Sequence, residues 1–266
     1  MPWEGLMTDL TAKVRPRGVV ISAEANFTAD MAQNLMSMFA HLQEGQEITV
    51  KFSNKGVWAV TPEGIRLFIG STEVFEVEVI RCPEDLDRWH LVNDYLKLRK
   101  QIFVDRLEWP LFHAEDLEFE QYDSFNTIYV VATLNGVVVG GARLRRTDQI
   151  SGTGQIQYSY MIRDACLGVL PGLPQELCHA VPPMNEKVWE ITRMVVTGSR
   201  DVSRMILAKI NTFLGEEGAD TVLFLGSPAF QRMANSLSWP VKQLGPVASN
   251  SEGSFQVFEC PVRELG

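Results

Sequence analysis

The chain has 266 residues, 45% hydrophobic and 21% charged, with a formal net charge of −9. That length suits one large domain, or a domain with a smaller appendage, and the acidic balance argues against nucleic acid as the main partner. No apolar run approaches the ~18 residues of a membrane span. The opening Met1–Leu10 carries Glu4 and Asp9 and does not read as a secretory leader, so a cytoplasmic protein is expected. The cysteines (Cys82, Cys166, Cys178, Cys260) are scattered with no C-x-x-C pair, and the histidines (His41, His90, His113, His179) lack metal-ligand spacing. Reduced thiols and no zinc site are the expectation.

In chain order, residues 1–72 read as a small α/β extension. Gly18–Ser22 is a short apolar strand. Thr28 caps a predicted helix to about Leu42, with Met31, Leu35, Met38 and Phe39 on one face. Strands at Glu47–Phe52, Val57–Val60 and Ile65–Ile69 follow, separated by turns at Asn54-Lys55-Gly56 and Thr61-Pro62-Glu63-Gly64. Nothing in this stretch suggests chemistry, which leaves packing or homodimer formation as its expected role.

The second unit, residues 73–266, opens with an alternating strand at Phe75–Ile80. Pro83, Glu84 and Asp85 suit a helix start, because proline lacks the orphan N–H and acids complement the dipole. The apolar stripe of that helix runs through Leu86, Trp89, Val92, Leu96 and Phe103, and Arg99 falls on it. A guanidinium on a buried face requires a carboxylate partner, since an unpaired buried charge is strongly destabilising. After a polar loop over 104–124, strands Thr127–Leu134 and Val137–Arg145 are joined by Asn135-Gly136, a strong two-residue hairpin signal. Gln155–Ile162 is a candidate strand, and Leu167–Pro183 a connection. Strand Val188–Val196, amphipathic helix Val202–Leu214, strand Thr221–Leu225, helix Pro228–Leu237 and strand Phe255–Pro261 complete the order. The class is α/β, a mixed central sheet flanked by helices, and the order is similar to that of GNAT-type acyltransferases.

Three blocks carry a more specific resemblance. Leu98-Arg99-Lys100-Gln101-Ile102-Phe103 is followed by Leu107-Glu108-Trp109. Glu118-Phe119-Glu120-Gln121-Tyr122-Asp123 precedes a hairpin ending Gly141-Ala142-Arg143-Leu144. The third block is Trp189-Glu190-Ile191-Thr192-Arg193, with Ser238-Trp239-Pro240 and Leu244-Gly245-Pro246 further on. Over residues 74–262 the chain resembles the LuxI-type autoinducer synthases, which are acyl-homoserine-lactone synthases of GNAT-like fold. That family usually has aspartate where Glu120 stands, so here the carboxylate sits one methylene further out.

The resemblance implies a two-part reaction. The amine of S-adenosylmethionine attacks an acyl thioester, and the methionine carboxylate then attacks its own γ-carbon, closing a lactone and expelling methylthioadenosine. S-adenosylmethionine is thus a substrate, and no bound prosthetic group is implied. Glu120, Asp123 and Glu190 suit the cationic substrate; Glu190, directly or through a water, is the first candidate for the base and Glu120 the second. Arg99, Arg143 and Arg193 pair with those acids and hold the substrate carboxylate. Thr192 joins the substrate-binding set. Phe103 and Trp109 wall the pocket, Trp109 against the sulfonium in a cation–π contact worth ~0.5–2 kcal/mol.

Glu190 and Arg193 lie three apart, which sends them to opposite faces of a regular strand. A bulge near Thr192–Val195 is therefore predicted, of the kind that in GNAT-type folds splays two strands and admits the thioester arm. Arg200-Asp201-Val202-Ser203-Arg204-Met205 lacks the glycines of the turn that cradles a coenzyme A pyrophosphate. That fits an acyl group delivered on an acidic acyl carrier protein, met by a basic patch of Arg145, Arg146, Lys187, Arg200, Arg204 and Lys209. Acyl-CoA remains open as the donor. Leu223 and Leu225 suggest an apolar acyl channel. The alternative function is an N-acyltransferase of the same fold that acylates another amine without lactonisation.

Overall fold

The computed structural model describes residues 75–197, 201–250 and 253–263 in full, and of the first 74 residues the backbone of five strands. The chain divides into two compact units, Met1–Val74 and Phe75–Gly266. In the first, β1 (Leu10–Arg15), β2 (Gly18–Val20), β3 (Glu47–Ser53), β4 (Gly56–Val60) and β5 (Arg66–Gly70) form an antiparallel sheet in the order β2-β1-β3-β4-β5. The strands expected from residue 47 onward are found within a residue of their expected bounds. β1 is an addition to the expected strands: in its sequence polar Thr11, Lys13 and Arg15 alternate with apolar Leu10, Ala12 and Val14, the period of a strand. The helix expected from Thr28 to Leu42 lies outside the described residues.

The second unit is built on one mixed sheet. Its strands are β6 (Phe75–Arg81), β9 (Ile128–Leu134), β10 (Val137–Arg146), β13 (Val188–Val196), β14 (Thr221–Gly226) and β17 (Gly253–Pro261), with short β15 (Lys242–Gln243) and β16 (Ala248–Asn250) beside β17. Two short pairs lie off it, β7 (His113–Ala114) with β8 (Leu117–Glu118) and β11 (Ser151–Thr153) with β12 (Ile156–Tyr158). Only β13 and β14 run parallel among the paired strands of the main sheet. The hairpin between β9 and β10 turns on Asn135 (φ 51°) and Gly136 (φ 77°), the two positive φ values that a two-residue turn requires.

Helices cover both faces, as a parallel pair in mid-sheet demands. On β9, Val130 and Ala132 face a cluster containing Val202, Ile206, Ile210 and Phe213 of α3 (Arg200–Glu216), together with Phe230 and Ala234 of α4 (Phe230–Ser236). Tyr129 and Val131 alternate to the other face and meet Leu91, Val92, Tyr95 and Leu96 of α1 (Trp89–Arg99). Each fully buried side chain of this size contributes roughly 1.5–3 kcal/mol, so the alternation of β9 alone ties the sheet to both layers.

Two expectations need correction. The helix predicted from Pro83 starts only at a 3-10 turn, Leu86–Arg88, and becomes α-helical at Trp89. Asp85 closes a turn instead, its Oδ2 accepting the Arg81 N–H at 2.9 Å, and Leu86 is exposed rather than on the buried stripe. Residues up to Ile162 were expected to extend a strand, but only β12 is extended; Met161–Cys166 forms helix α2. At six residues it is too short for its apolar positions to display a helical period.

Candidate active site

The site begins with the irregularity in β13. Gly141 pairs with Val195 and Arg143 with Thr192, so Arg193 and Met194 together oppose Ala142. This is a bulge at the predicted place, and Arg193 occupies the left-handed region at φ 53°. Its consequence is that Arg193 turns to the side already occupied by Arg143, Thr192 and Glu190. Pairing of β13 with β14 ends at Ile191–Phe224, although both strands continue, and the sheet parts there.

A cavity of about 760 Å³ opens at this split. Its polar end carries Glu120 and Arg193 with Phe103, Trp109 and Met161, while Leu173, Leu225, Phe230, Met233 and Phe255 line the remainder. Phe103 reaches the wall because α1 continues past Arg99 as a π-helical turn, Lys100–Arg106. A Trp109 N–H to Phe103 O bond of 2.9 Å folds the chain back, stacking the two rings 5.1 Å apart and 5° from parallel. The guanidinium of Arg193 lies 5.9 Å from the Phe103 ring centre.

Behind the polar end stands a buried ionic lattice. Arg99, with no exposed surface, donates to Glu118 and, through two nitrogens at 2.8 and 3.0 Å, to both oxygens of Asp123. Arg143 donates to Asp123 (3.2 Å), Glu120 (2.7 Å) and the Thr192 hydroxyl (3.1 Å). Arg193 donates to Glu118 at 3.3 Å and Glu120 at 2.9 Å. Tyr129 OH and the Glu120 N–H add bonds to Asp123, each at 3.0 Å. The arginines and acids balance, which is what makes so many desolvated charges tolerable.

Burial would raise both Asp123 and Glu120. The guanidinia of Arg143 and Arg99 outweigh it for Asp123, and those of Arg193 and Arg143 for Glu120, so both stay below the ordinary carboxylate range. Glu190 is the contrast. Burial pushes it up to about 7, against the opposing pull of the Ile162 and Met161 N–H groups and of Arg143 and Arg145. Its oxygens accept those N–H groups at 2.7 and 3.2 Å, at the start of α2.

Of the expected site residues, the structure brings Glu120, Arg193, Phe103 and Trp109 to the cavity wall. Asp123, Arg143, Thr192 and Glu190 stand directly behind it, buried. Arg99 was expected to touch substrate. It does not reach the wall, because Glu118 and Asp123 hold its guanidinium inside the core; Thr192 likewise is turned to Arg143. Leu225 lines the cavity, but Leu223 packs away from it with Tyr160 and Ile162.

The basic patch needs a larger correction. Arg145 is buried, and its guanidinium is used on Ser159 O (2.6 Å), Ser124 Oγ (3.1 Å) and Ser151 Oγ (2.6 Å). Strand alternation placed it inward, beside Glu190, to brace the loops under the site. Arg146 is paired with Asp148 at 2.7 Å, and Lys187 with Asp220 at 3.6 Å. Arg204 and Lys209 are exposed on α3, and the Arg200 side chain lies outside the described residues.

Sequence reasoning missed two contributors. Glu118 reads as part of a solvated acidic turn, yet it is fully buried between Arg99 and Arg193. The signal was available: a third arginine directed into the core calls for a third acid. Met161 had no such signal; its sulfur lies 3.7 Å from Arg193 Nη1 and 4.0 Å from Arg143 Nη2.

A mixed sheet split beside a bulged strand, with an apolar cavity entering the split, is a GNAT-like fold. Solved acyl-homoserine lactone synthases share this fold. The CoA-dependent synthase MesI superposes with a TM-score of 0.57 at 18% identity, over 71% of this chain and 89% of its own. BjaI, solved with SAM and isopentyl-CoA, gives 0.56 at 19% identity, over 71% and 84%. An acyl-homoserine-lactone synthase of Ralstonia solanacearum is 29% identical over 179 residues, 63% of this chain and 78% of that one. Another, from Aeromonas salmonicida, is 24% identical over 168 residues, 59% and 73%. The autoinducer synthase family model matches residues 85–259, and the chain belongs to that family.

Proposed function

We propose that this enzyme N-acylates S-adenosylmethionine from an acyl thioester and closes the lactone, releasing methylthioadenosine and making a quorum-sensing signal in the cytoplasm. One observation carries the reading: the bulge at Arg193 places a charged, aromatic-walled end and a long apolar channel in one cavity. That matches a substrate pair of which one partner is cationic and zwitterionic and the other a hydrocarbon chain.

In the first step the substrate nitrogen bonds to the acyl carbon, and the thiol leaves with the proton the amine gives up. Glu120, held ionised, offers negative charge to the ammonium and sulfonium, and Arg193 takes the methionine carboxylate. Phe103 and Trp109 close around the sulfonium. The choice of base turns on two opposed facts. Glu120 is on the wall, but its lowered pKa makes it a weak base; Glu190, near 7, has the right basicity but is set back behind Met161. We assign Glu190, acting through a water, because basicity near the working pH governs proton transfer more than one relay does. In the second step a carboxylate oxygen attacks the γ-carbon and the C–S bond electrons return to sulfur. A good leaving group leaves the protein mainly the task of holding the chain folded.

The acyl chain enters between β13 and β14 and lies against Leu225, Phe230, Met233 and Phe255. Both acyl-CoA and acyl carrier protein remain donors to compare, the carrier meeting the exposed Arg204 and Lys209 of α3. The test is incubation with S-adenosylmethionine and each acyl thioester, followed by mass spectrometry. Acyl-homoserine lactone and methylthioadenosine are expected in equal amounts. Thiol release without methylthioadenosine would point instead to an N-acyltransferase without lactonisation.

A further inference from the structure

A bulge leaves a residue outside the ladder, and its carbonyl must find a donor elsewhere. At Arg193 that donor comes from across the sheet face: the Tyr95 hydroxyl of α1 donates to Arg193 O at 2.6 Å. Tyr95 has no exposed surface, and its ring lies on the strand beside the bulge because residue 141 is glycine. A Cβ at Gly141 would stand 2.7 Å from the ring carbon Cδ2, closer than carbon atoms approach. The other side of the ring packs edge-on to Tyr129 at 6.1 Å, and the Arg99 guanidinium sits 5.5 Å from its centre. Burial, partly offset by Arg99 and Arg143, raises the phenol far above its usual value, so it remains a donor at every working pH.

We propose that Tyr95 is a positioning residue for acyl transfer: its hydroxyl holds the Arg193 bulge in the left-handed conformation that aims the guanidinium at Glu120 and the cavity. A non-glycine residue at φ 53° is strained, and it keeps that conformation only while its surroundings determine it. Tyr95 acts through the backbone and does not line the cavity. The inference rests on the reading of Arg193 as a working group of the site.

The test compares Tyr95→Phe with Thr147→Val. Both delete a buried hydroxyl bonded to a backbone carbonyl, since Thr147 Oγ1 donates to Asn185 O at 2.9 Å, away from the cavity. Thr147→Val is expected to lose at least as much melting temperature, because Thr147 Oγ1 also accepts the Asn185 N–H at 3.1 Å. Tyr95→Phe alone is expected to lower kcat/KM for S-adenosylmethionine, by on the order of tenfold. Incorporating p-aminophenylalanine at position 95, which restores a donor at the ring tip, is expected to recover most of that loss. A Tyr95→Phe enzyme with wild-type kcat/KM, or one that p-aminophenylalanine does not rescue, overturns the proposal. Arg193→Ala separates the two levels. Full activity there overturns the role of Arg193 itself, whereas an inactive Arg193→Ala beside a normal Tyr95→Phe overturns only that of Tyr95.

Discussion

Asp123→Asn tests whether the lattice is a charge balance or only a set of hydrogen bonds. The substitution keeps the shape and removes one negative charge. Asp123 accepts from Arg99 (2.8 and 3.0 Å), Arg143 (3.2 Å), Tyr129 OH (3.0 Å) and the Glu120 N–H (3.0 Å). Whichever way an asparagine is turned, its NH₂ meets a guanidinium nitrogen, and the arginines are left with one acid too few. Breaking a buried ion pair by removing one partner costs about 3–5 kcal/mol, a large part of the ~5–15 kcal/mol that holds a domain folded. At about 2–4 °C per kcal/mol for a domain of this size, the melting temperature should fall by roughly 6–20 °C. The pH dependence adds a second check. Asp123 is held below its ordinary value in the folded state, so its contribution is present above the unfolded value near 3.9 and is lost as pH falls through the folded one. Melts followed by circular dichroism should therefore show a constant gap between wild type and variant from about pH 5 to 8, narrowing below about pH 4. A gap of less than about 2 °C at pH 7, or one that stays constant into strong acid, would refute the reasoning.

Glu190→Gln should stay folded at a cost of about 1–3 kcal/mol, because its NH₂ must face the Met161 or Ile162 N–H, and should lower turnover by about 100-fold or more, the usual worth of a general base. With Glu190 near 7, wild-type kcat should rise with pH through that region and the variant should lose the inflection; an unchanged profile counts against the assignment. The same group gives a stability signature of opposite sense to Asp123. Its folded value is raised above an unfolded value of about 4.3, so its contribution is lost as pH climbs from there to about 7, and Glu190→Gln should abolish that slope. Trp109→Ala should raise KM for S-adenosylmethionine by roughly 2- to 30-fold, the equivalent of a cation–π contact of ~0.5–2 kcal/mol, and steady-state kinetics with the acyl donor saturating will measure it. Met233→Trp narrows the apolar channel and should shift products towards shorter acyl chains, by about fourfold per methylene excluded at ~0.8 kcal/mol each. A product profile indistinguishable from wild type would show that the chain lies elsewhere.

What was legible in the sequence follows from how locally each feature is encoded. β9, β10 and β13 carry long β-branched runs and an Asn135-Gly136 turn, so their bounds could be read to within a residue. α2 could not, because six residues hold less than two turns and Met161, Ile162 and Ala165 read equally well as strand. The same limit explains Arg145. Its charge suggested a surface, and only the register placing it opposite Glu190 shows that it points inward. Glu118 was hidden differently: its neighbours Asp116 and Phe119 are exposed, so a loop reading was natural, and only the tertiary placement of Arg99 and Arg193 makes it a core residue.

The bulge in β13 joins a constraint legible in the sequence to one that only the tertiary structure reveals. Glu190 and Arg193 had to share a face for the chemistry to work, and strand alternation forbade it, so an irregularity between them was required. The structure supplies it, yet the two side chains do not meet. Met161 stands between them, its N–H held by Glu190 and its sulfur beside Arg193 Nη1. The first residue of α2 therefore links the two: it lines the cavity beside Arg193, while Glu190, raised by burial, stands behind it.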